Sequence, residues 1–154
     1  MQRIVVQHSK CTGCRICQLV CSNKFNEGGY NSKEAAVRVY TKEHFEADIP
    51  VLCRQCKKAP CQENCPVGAF YRDENTGALL IKADQCIGCG KCVEVCPFGA
   101  IFLHEAHITP IKCDLCGGAP RCVARCPNGV LTLRDETSLG DEQKARLKTL
   151  LAGG

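Results

Sequence analysis

The chain has 154 residues, of which 16 are cysteine, and it carries 20 Lys and Arg against 16 Asp and Glu, a formal charge of +4. Cysteine near a tenth of the composition marks a cross-linked or metal-bound scaffold, and removing it from the 45% apolar share leaves a thin supply of side chains for a conventional core. No apolar run approaches the roughly 18 residues that span a bilayer, and the basic residues are scattered among acids without aromatic interleaving, which excludes a dedicated nucleic-acid surface.

In chain order, residues 3–6 predict a short strand leading into a first cysteine set, Cys11, Cys14, Cys17 and Cys21, spaced C-x2-C-x2-C-x3-C. Asn26 to Asn31, with Gly28 and Gly29, reads as a loop. Val37-Arg38-Val39-Tyr40 alternates as a half-buried strand does, and Phe45 to Leu52 predicts the strand that pairs back with it. The second set is Cys53, Cys56, Cys61 and Cys65, spaced C-x2-C-x4-C-x3-C. Ala69-Phe70-Tyr71 and Ala78 to Ile81 flank Asn75-Thr76-Gly77, a second hairpin. The third set, Cys86, Cys89, Cys92 and Cys96, repeats the spacing of the first, and Phe98 to Leu103 predicts a strand behind it. The fourth set is Cys113, Cys116, Cys122 and Cys126, spaced C-x2-C-x5-C-x3-C, with a strand from Val130 to Leu133. Single helical turns are expected at Cys17/Cys21, Cys92/Cys96 and Cys122/Cys126. Residues 134–154 hold no cysteine; Leu139, Leu147, Leu150 and Leu151 predict one apolar side of a short helix. That tail reads either as a segment folded back on its own domain or as a docking helix, through 137–154, for a partner or a second copy.

No cysteine lies outside a set of four, so the chain is an internal repeat of a ligand loop. A C-x2-C-x2-C loop converges three thiolates on three irons of a cubane, and in two-cluster ferredoxins the fourth cysteine ligates the other cluster. Pro66, Pro97 and Pro127 follow the fourth cysteine of their sets and turn the chain away from the ligand. Gly88 and Gly90 let backbone amides approach cluster sulfur closely. Structural zinc prefers two C-x2-C pairs with a longer spacer, covalent haem needs C-x-x-C-H, and a redox dithiol needs one pair. The spacing therefore predicts four [4Fe–4S] clusters forming the interior of a loop-rich α+β fold. Met1 to Cys11 carries no secretory signal, and a reducing compartment keeps thiols free of disulfides, so the expected location is the cytoplasm. His8, His44, His104 and His107 show no ligand spacing and read as surface or hydrogen-bonding residues; no nucleophile–base pair or paired carboxylates stand out, so no catalytic residue is assigned.

The stretch Cys53-RQCKKAPCQENCPVGAFYRDENTGALLIKADQCIGCGKCVEVCPFGA-Ile101 resembles the four-cluster ferredoxin subunits of molybdenum and tungsten oxidoreductases, and hydrogenase and carbon-monoxide-dehydrogenase complexes carry similar subunits. Lys10-CTGCRICQLVCS-Asn23 and Lys112-CDLCGGAPRCVARCPNGV-Leu131 are similar to the same family. The short fourth loop resembles the compact cytoplasmic branch, which includes the small iron–sulfur subunit of tungsten aldehyde oxidoreductase. Ser22 departs from the pattern, standing where the other sets have proline.

Spacing alone leaves open which fourth cysteine serves which cluster. The resemblance implies that Cys53, Cys56, Cys61 and Cys96 hold one cluster and Cys86, Cys89, Cys92 and Cys65 the next. It implies an outer pair held by Cys11, Cys14, Cys17 with Cys126, and by Cys113, Cys116, Cys122 with Cys21. The implied organisation is a four-cluster domain over 1–133, with an inner unit at 53–103, an outer unit at 3–25 and 108–133, and a hairpin insertion at 26–52. Two bacterial-ferredoxin-like units are then related by a pseudo-two-fold axis. The implied role is a non-catalytic polyferredoxin subunit, passing single electrons between a metal–pterin catalytic subunit and a flavin subunit, ferredoxin or other redox partner. A free-standing carrier and a zinc-stabilised interaction module are the alternatives. Clusters also revise the charge: at about −2 for each oxidised cluster, +4 becomes about −4.

Overall fold

Short loops and turns separate elements that rarely exceed five residues, because the cysteine sets and their glycines repeatedly interrupt regular structure. A computed structural model describes residues 1–26, 29–42 and 47–135. The strands are β1 (Gln2–Val6), β2 (Val37–Thr41), β3 (Asp48–Leu52), β4 (Phe70–Arg72), β5 (Leu79–Ile81), β6 (Ile101–His104), β7 (His107–Lys112) and β8 (Leu131–Asp135). The helices are α1 (Ile16–Phe25), α2 (Pro60–Glu63), α3 (Lys91–Glu94) and α4 (Arg121–Ala124). The fold is α+β. The tail helix expected within 134–154, with Leu139, Leu147, Leu150 and Leu151, lies outside the described residues apart from the end of β8.

Four two-stranded antiparallel ribbons result: β1 with β8, β2 with β3, β4 with β5, and β6 with β7. The expected hairpins at 37–52 and 69–81 are present, the first pairing Val37 with Leu52 and the second Phe70 with Ile81. The strand expected from Phe98 begins instead at Ile101, since Gly99 takes a left-handed φ of 54° and breaks the extended backbone before it. Sequence reading missed β7, which pairs Ile101 with Lys112 and Phe102 with Ile111. It also missed that β1 and β8 are partners, Ile4 opposite Leu133, so that strands from the two ends of the described chain close on each other.

The single turn expected at Cys17/Cys21 is in fact a ten-residue helix. Ser22 explains it: the other three sets place proline after the fourth cysteine, and proline ends a helix by removing an N–H and clashing with the preceding turn. Gln18 then ties α1 to the hairpin, accepting from the Val39 amide at 3.0 Å and donating to the Ser32 carbonyl at 3.0 Å.

Among the described residues, two of three apolar cores contain buried cysteine. One packs Cys17 and Cys122 with Ile4, Val37, Leu52, Leu115 and Leu131. The other packs Cys61 and Cys92 with Ala59, Phe70, Leu79 and Ile101. The third cysteine of every set is thus a core residue.

Candidate metal centres

Four cavities are each lined by four cysteines. Cys11, Cys14 and Cys17 share one with Cys126. Cys113, Cys116 and Cys122 share the next with Cys21. Cys53, Cys56 and Cys61 share a third with Cys96, and Cys86, Cys89 and Cys92 share the fourth with Cys65. The atom-free space is about 340, 360, 340 and 340 Å³ in that order, part of it open to solvent, so the four are equivalent in size. All sixteen thiols are free of disulfides.

The local backbone repeats with the cavities. The residue before the second cysteine is left-handed in every set: Gly13 at φ 67°, Gln55 at 50°, Gly88 at 66° and Leu115 at 56°. This bend turns both thiols of each C-x2-C pair to one side. Glycine adopts it without strain, whereas Gln55 and Leu115 are held there by complete burial. After Cys65, Cys96 and Cys126 the turn is closed by Gly68, Gly99 and Gly129, each with positive φ and each donating its amide back to the cysteine carbonyl at 3.1–3.3 Å.

That turn also aims the next amide at sulfur. Ala69 donates to Cys65 Sγ at 3.4 Å, Ala100 to Cys96 Sγ at 3.4 Å, and Val130 to Cys126 Sγ at 3.3 Å. Cys21, on α1, accepts instead from Ala36 at 3.3 Å. Gln55 donates its own amide to Cys53 Sγ at 3.4 Å. Such donors stabilise charge on sulfur.

Burial opposes that charge. It pushes the Cys17 and Cys92 thiols up to about 11 and Cys113 up to about 12, and raises Cys122 further. Like charge from neighbouring thiolates adds to the effect, and it runs between cavities: Cys17 on Cys122, Cys53 on Cys113, and Cys61 on Cys92. Cys17 and Cys122 share one core, Cys61 and Cys92 the other, and Gln55 of the Cys53 loop donates to the Cys113 carbonyl, so the cavities are neighbours. Thiols so placed stay protonated unless a metal supplies positive charge, since the thiolate is the metal ligand. Four sulfur donors with backbone amides aimed at sulfur fit a cubane iron–sulfur group.

Outside the cavities, His104 and His107 flank the β6–β7 turn and meet Glu34. His107 Nε2 lies 2.9 Å from Glu34 Oε2, Asn31 donates to Glu34 Oε1 at 2.7 Å, and the Ala106 amide donates to His104 Nδ1 at 3.3 Å. These histidines act through hydrogen bonds; His8 is exposed, and His44 lies outside the described residues. Sequence reading missed Gln55 and Lys112, both buried among the cavities. Their only signal is position, within one C-x2-C loop and immediately before Cys113, and polar side chains give no sign of burial there.

Residues 44–136 match the family model described as a 4Fe-4S dicluster domain, and residues 8–26 match that of a 4Fe-4S binding domain. The chain is 39% identical over 106 residues to the arsenate respiratory reductase iron-sulfur subunit ArrB of a Shewanella species, an overlap covering 67% of this chain and 45% of that protein. It is 39% identical over 95 residues to the polyferredoxin-like subunit of an aliphatic sulfonate oxidoreductase from Pyrococcus furiosus, covering 61% and 53%. Against the electron transport protein HydN of Escherichia coli the identity is 34% over 112 residues, covering 70% and 61%. The chain thus spans about half the length of the curated relatives it matches. Among solved structures, the BamBC active-site complex of benzoyl coenzyme A reductase with 1,5-dienoyl-CoA contains a similar fold, at TM-score 0.53 and 24% identity over 87% of this chain and 75% of that one.

Proposed function

The chain belongs to the 4Fe-4S dicluster domain family and binds more than one [4Fe–4S] cluster; on that premise we propose that it is a four-cluster electron-transfer subunit of an oxidoreductase complex, without a catalytic centre of its own. The observation that carries this is the division of sixteen cysteines into four equivalent cavities, each taking three from one set and one from another. The proposed ligands are Cys11, Cys14, Cys17 and Cys126; Cys21, Cys113, Cys116 and Cys122; Cys53, Cys56, Cys61 and Cys96; and Cys65, Cys86, Cys89 and Cys92. Crossed ligation of this kind is the two-cluster ferredoxin arrangement. It supports an inner unit over 53–103, an outer unit over 3–25 and 108–133 with 26–52 inserted between, and a pseudo-two-fold relation between the units.

A bound cluster supplies one-electron redox chemistry at a potential set by its surroundings. The protein's own contribution is positional. The left-handed loop residues hold the thiols in place, the Ala36, Ala69, Ala100 and Val130 amides stabilise sulfur charge, and the apolar cores exclude water. The shared cores of Cys17 with Cys122 and of Cys61 with Cys92, and the Gln55 link from the Cys53 loop to the Cys113 carbonyl, support a row of four cluster sites along which bound clusters would relay electrons.

The proposed partners are a large catalytic subunit, with a tungsten– or molybdenum–pterin centre, at one end and a flavin subunit or ferredoxin at the other. ArrB and the sulfonate oxidoreductase subunit are named as parts of oxidoreductases, which supports a catalytic partner. Among the described residues no helix is long and apolar enough to cross a membrane. We place the protein in the cytoplasm, where a reducing compartment keeps thiols available for cluster assembly. Anaerobic purification with iron, acid-labile sulfide and zinc analysis tests the reading. About sixteen irons and sixteen sulfides per chain, with a large subunit co-purifying, is the expected result. Zinc without sulfide would overturn the clusters, and isolation only as a lone monomer would overturn the subunit role.

A further inference from the structure

Lys112, the last residue of β7, is 6% exposed. Its ammonium donates to the Leu79 carbonyl, to the Cys113 carbonyl at 3.3 Å and to Gln55 Oε1 at 3.4 Å. All three acceptors are neutral. Among the described residues no carboxylate lies within ion-pair distance of Nζ. A buried charge without an anionic partner costs several kcal/mol, so a fold that keeps one supplies the counter-charge from elsewhere.

The surroundings identify that source. Gln55 belongs to the Cys53–Cys56 loop, donates its backbone amide to Cys53 Sγ at 3.4 Å and donates its side-chain amide to the Cys113 carbonyl at 2.9 Å. Lys112 and Gln55 therefore form one buried bridge between two of the cysteine cavities.

Resting on the cluster reading above, we infer that the Lys112 ammonium is the internal counter-cation shared by the cluster of Cys53, Cys56, Cys61 and Cys96 and the cluster of Cys21, Cys113, Cys116 and Cys122. Each reduction adds a negative charge, so a fixed cation at this junction favours the reduced form of both clusters. Both clusters then have higher potentials than they would have without the ammonium. Gln55 positions the ammonium and completes the bridge without neutralising it.

The test is a redox titration of the full cluster-loaded chain, followed by EPR and visible absorption, for wild type, Lys112→Met, Lys112→Arg and Gln55→Glu. Lys112→Met removes the charge, and Gln55→Glu keeps the shape while placing a carboxylate beside it. Both are expected to shift two of four midpoints negative, by about tenfold in the reduction equilibrium or about 59 mV for one electron, while Lys112→Arg holds them near wild type. Four intact clusters whose midpoints ignore both charge changes overturn the role of Lys112 and leave the cluster reading standing. A wild-type chain without iron and sulfide overturns the cluster reading first, and this inference with it.

Discussion

The Ala36 amide donates to Cys21 Sγ at 3.3 Å across fifteen residues, where Cys65, Cys96 and Cys126 each accept from the amide four residues on. The difference begins at Ser22. Without proline there, α1 continues to Phe25, the local turn that supplies the other three donors does not form, and the segment entering β2 replaces it. Ala36 is 1% exposed, so water does not substitute for the missing donor.

Ala36→Pro should therefore lower the potential of one cluster. Proline removes the N–H, and Ala35, already extended at ψ 139°, is a suitable preceding residue. Hydrogen bonds to charged groups are worth about 1.5–3 kcal/mol, of which only the part that differs between oxidation states shifts the potential, so a change on the order of 50 mV is expected. EPR-monitored titration checks it; an unchanged set of four midpoints would sink the idea.

Removing iron should unfold the chain. Cys17 and Cys122 belong to one core and Cys61 and Cys92 to the other, so empty cavities leave both cores lined with protonated thiols around unfilled space. Metal binding then supplies folding free energy directly. Anaerobic chelation followed by circular dichroism should show loss of the cooperative melt, and a native-like transition in iron-free protein would contradict it.

Two glycines with the same backbone conformation should respond differently to alanine. Gly88, at φ 66°, has the Ile108 carbonyl oxygen 3.0 Å from where a Cβ would stand, whereas Gly99, at φ 54°, has nothing within 4 Å. Both substitutions carry about 1–2 kcal/mol of left-handed strain. Gly88→Ala adds a backbone collision and should lower the apparent thermal midpoint and iron retention further than Gly99→Ala. Equal effects would mean that the loop around Cys86 and Cys89 yields freely.

The Glu34 carboxyl predicts a pH effect away from the cysteines. The His107 hydrogen bond holds it below its ordinary value of 4.5, desolvation opposes this, and Asn31 adds to the lowering. A depressed folded-state value means that the stabilisation is fully present above about pH 4.5 and fades as the pH falls through the folded value. Wild type should accordingly be more stable than Glu34→Gln near neutrality, with the gap in anaerobic thermal midpoint closing on acidification below that point. A gap that stays constant or widens would remove Glu34 as the responsible group.

The sequence by itself determined the four cysteine sets, the family they belong to, the two hairpins that join neighbouring segments, and the α+β class. Those are properties of spacing, of local turns and of short alternating runs, and each is written within a few residues. Only the tertiary structure decided that β1 pairs with β8, that α1 runs a full ten residues, and that Lys112 and Gln55 sit between two cavities, while the distant fourth thiol of each cavity was implied by the family resemblance and left open by spacing. The reason is physical. A C-x2-C-x2-C loop specifies its own curvature, but a thiol 109 residues away, as Cys126 is from Cys17, arrives through the packing of strands and cores. A buried lysine is likewise indistinguishable in sequence from an exposed one until the carbonyls that hold it and the two cysteine cavities beside it have been brought together.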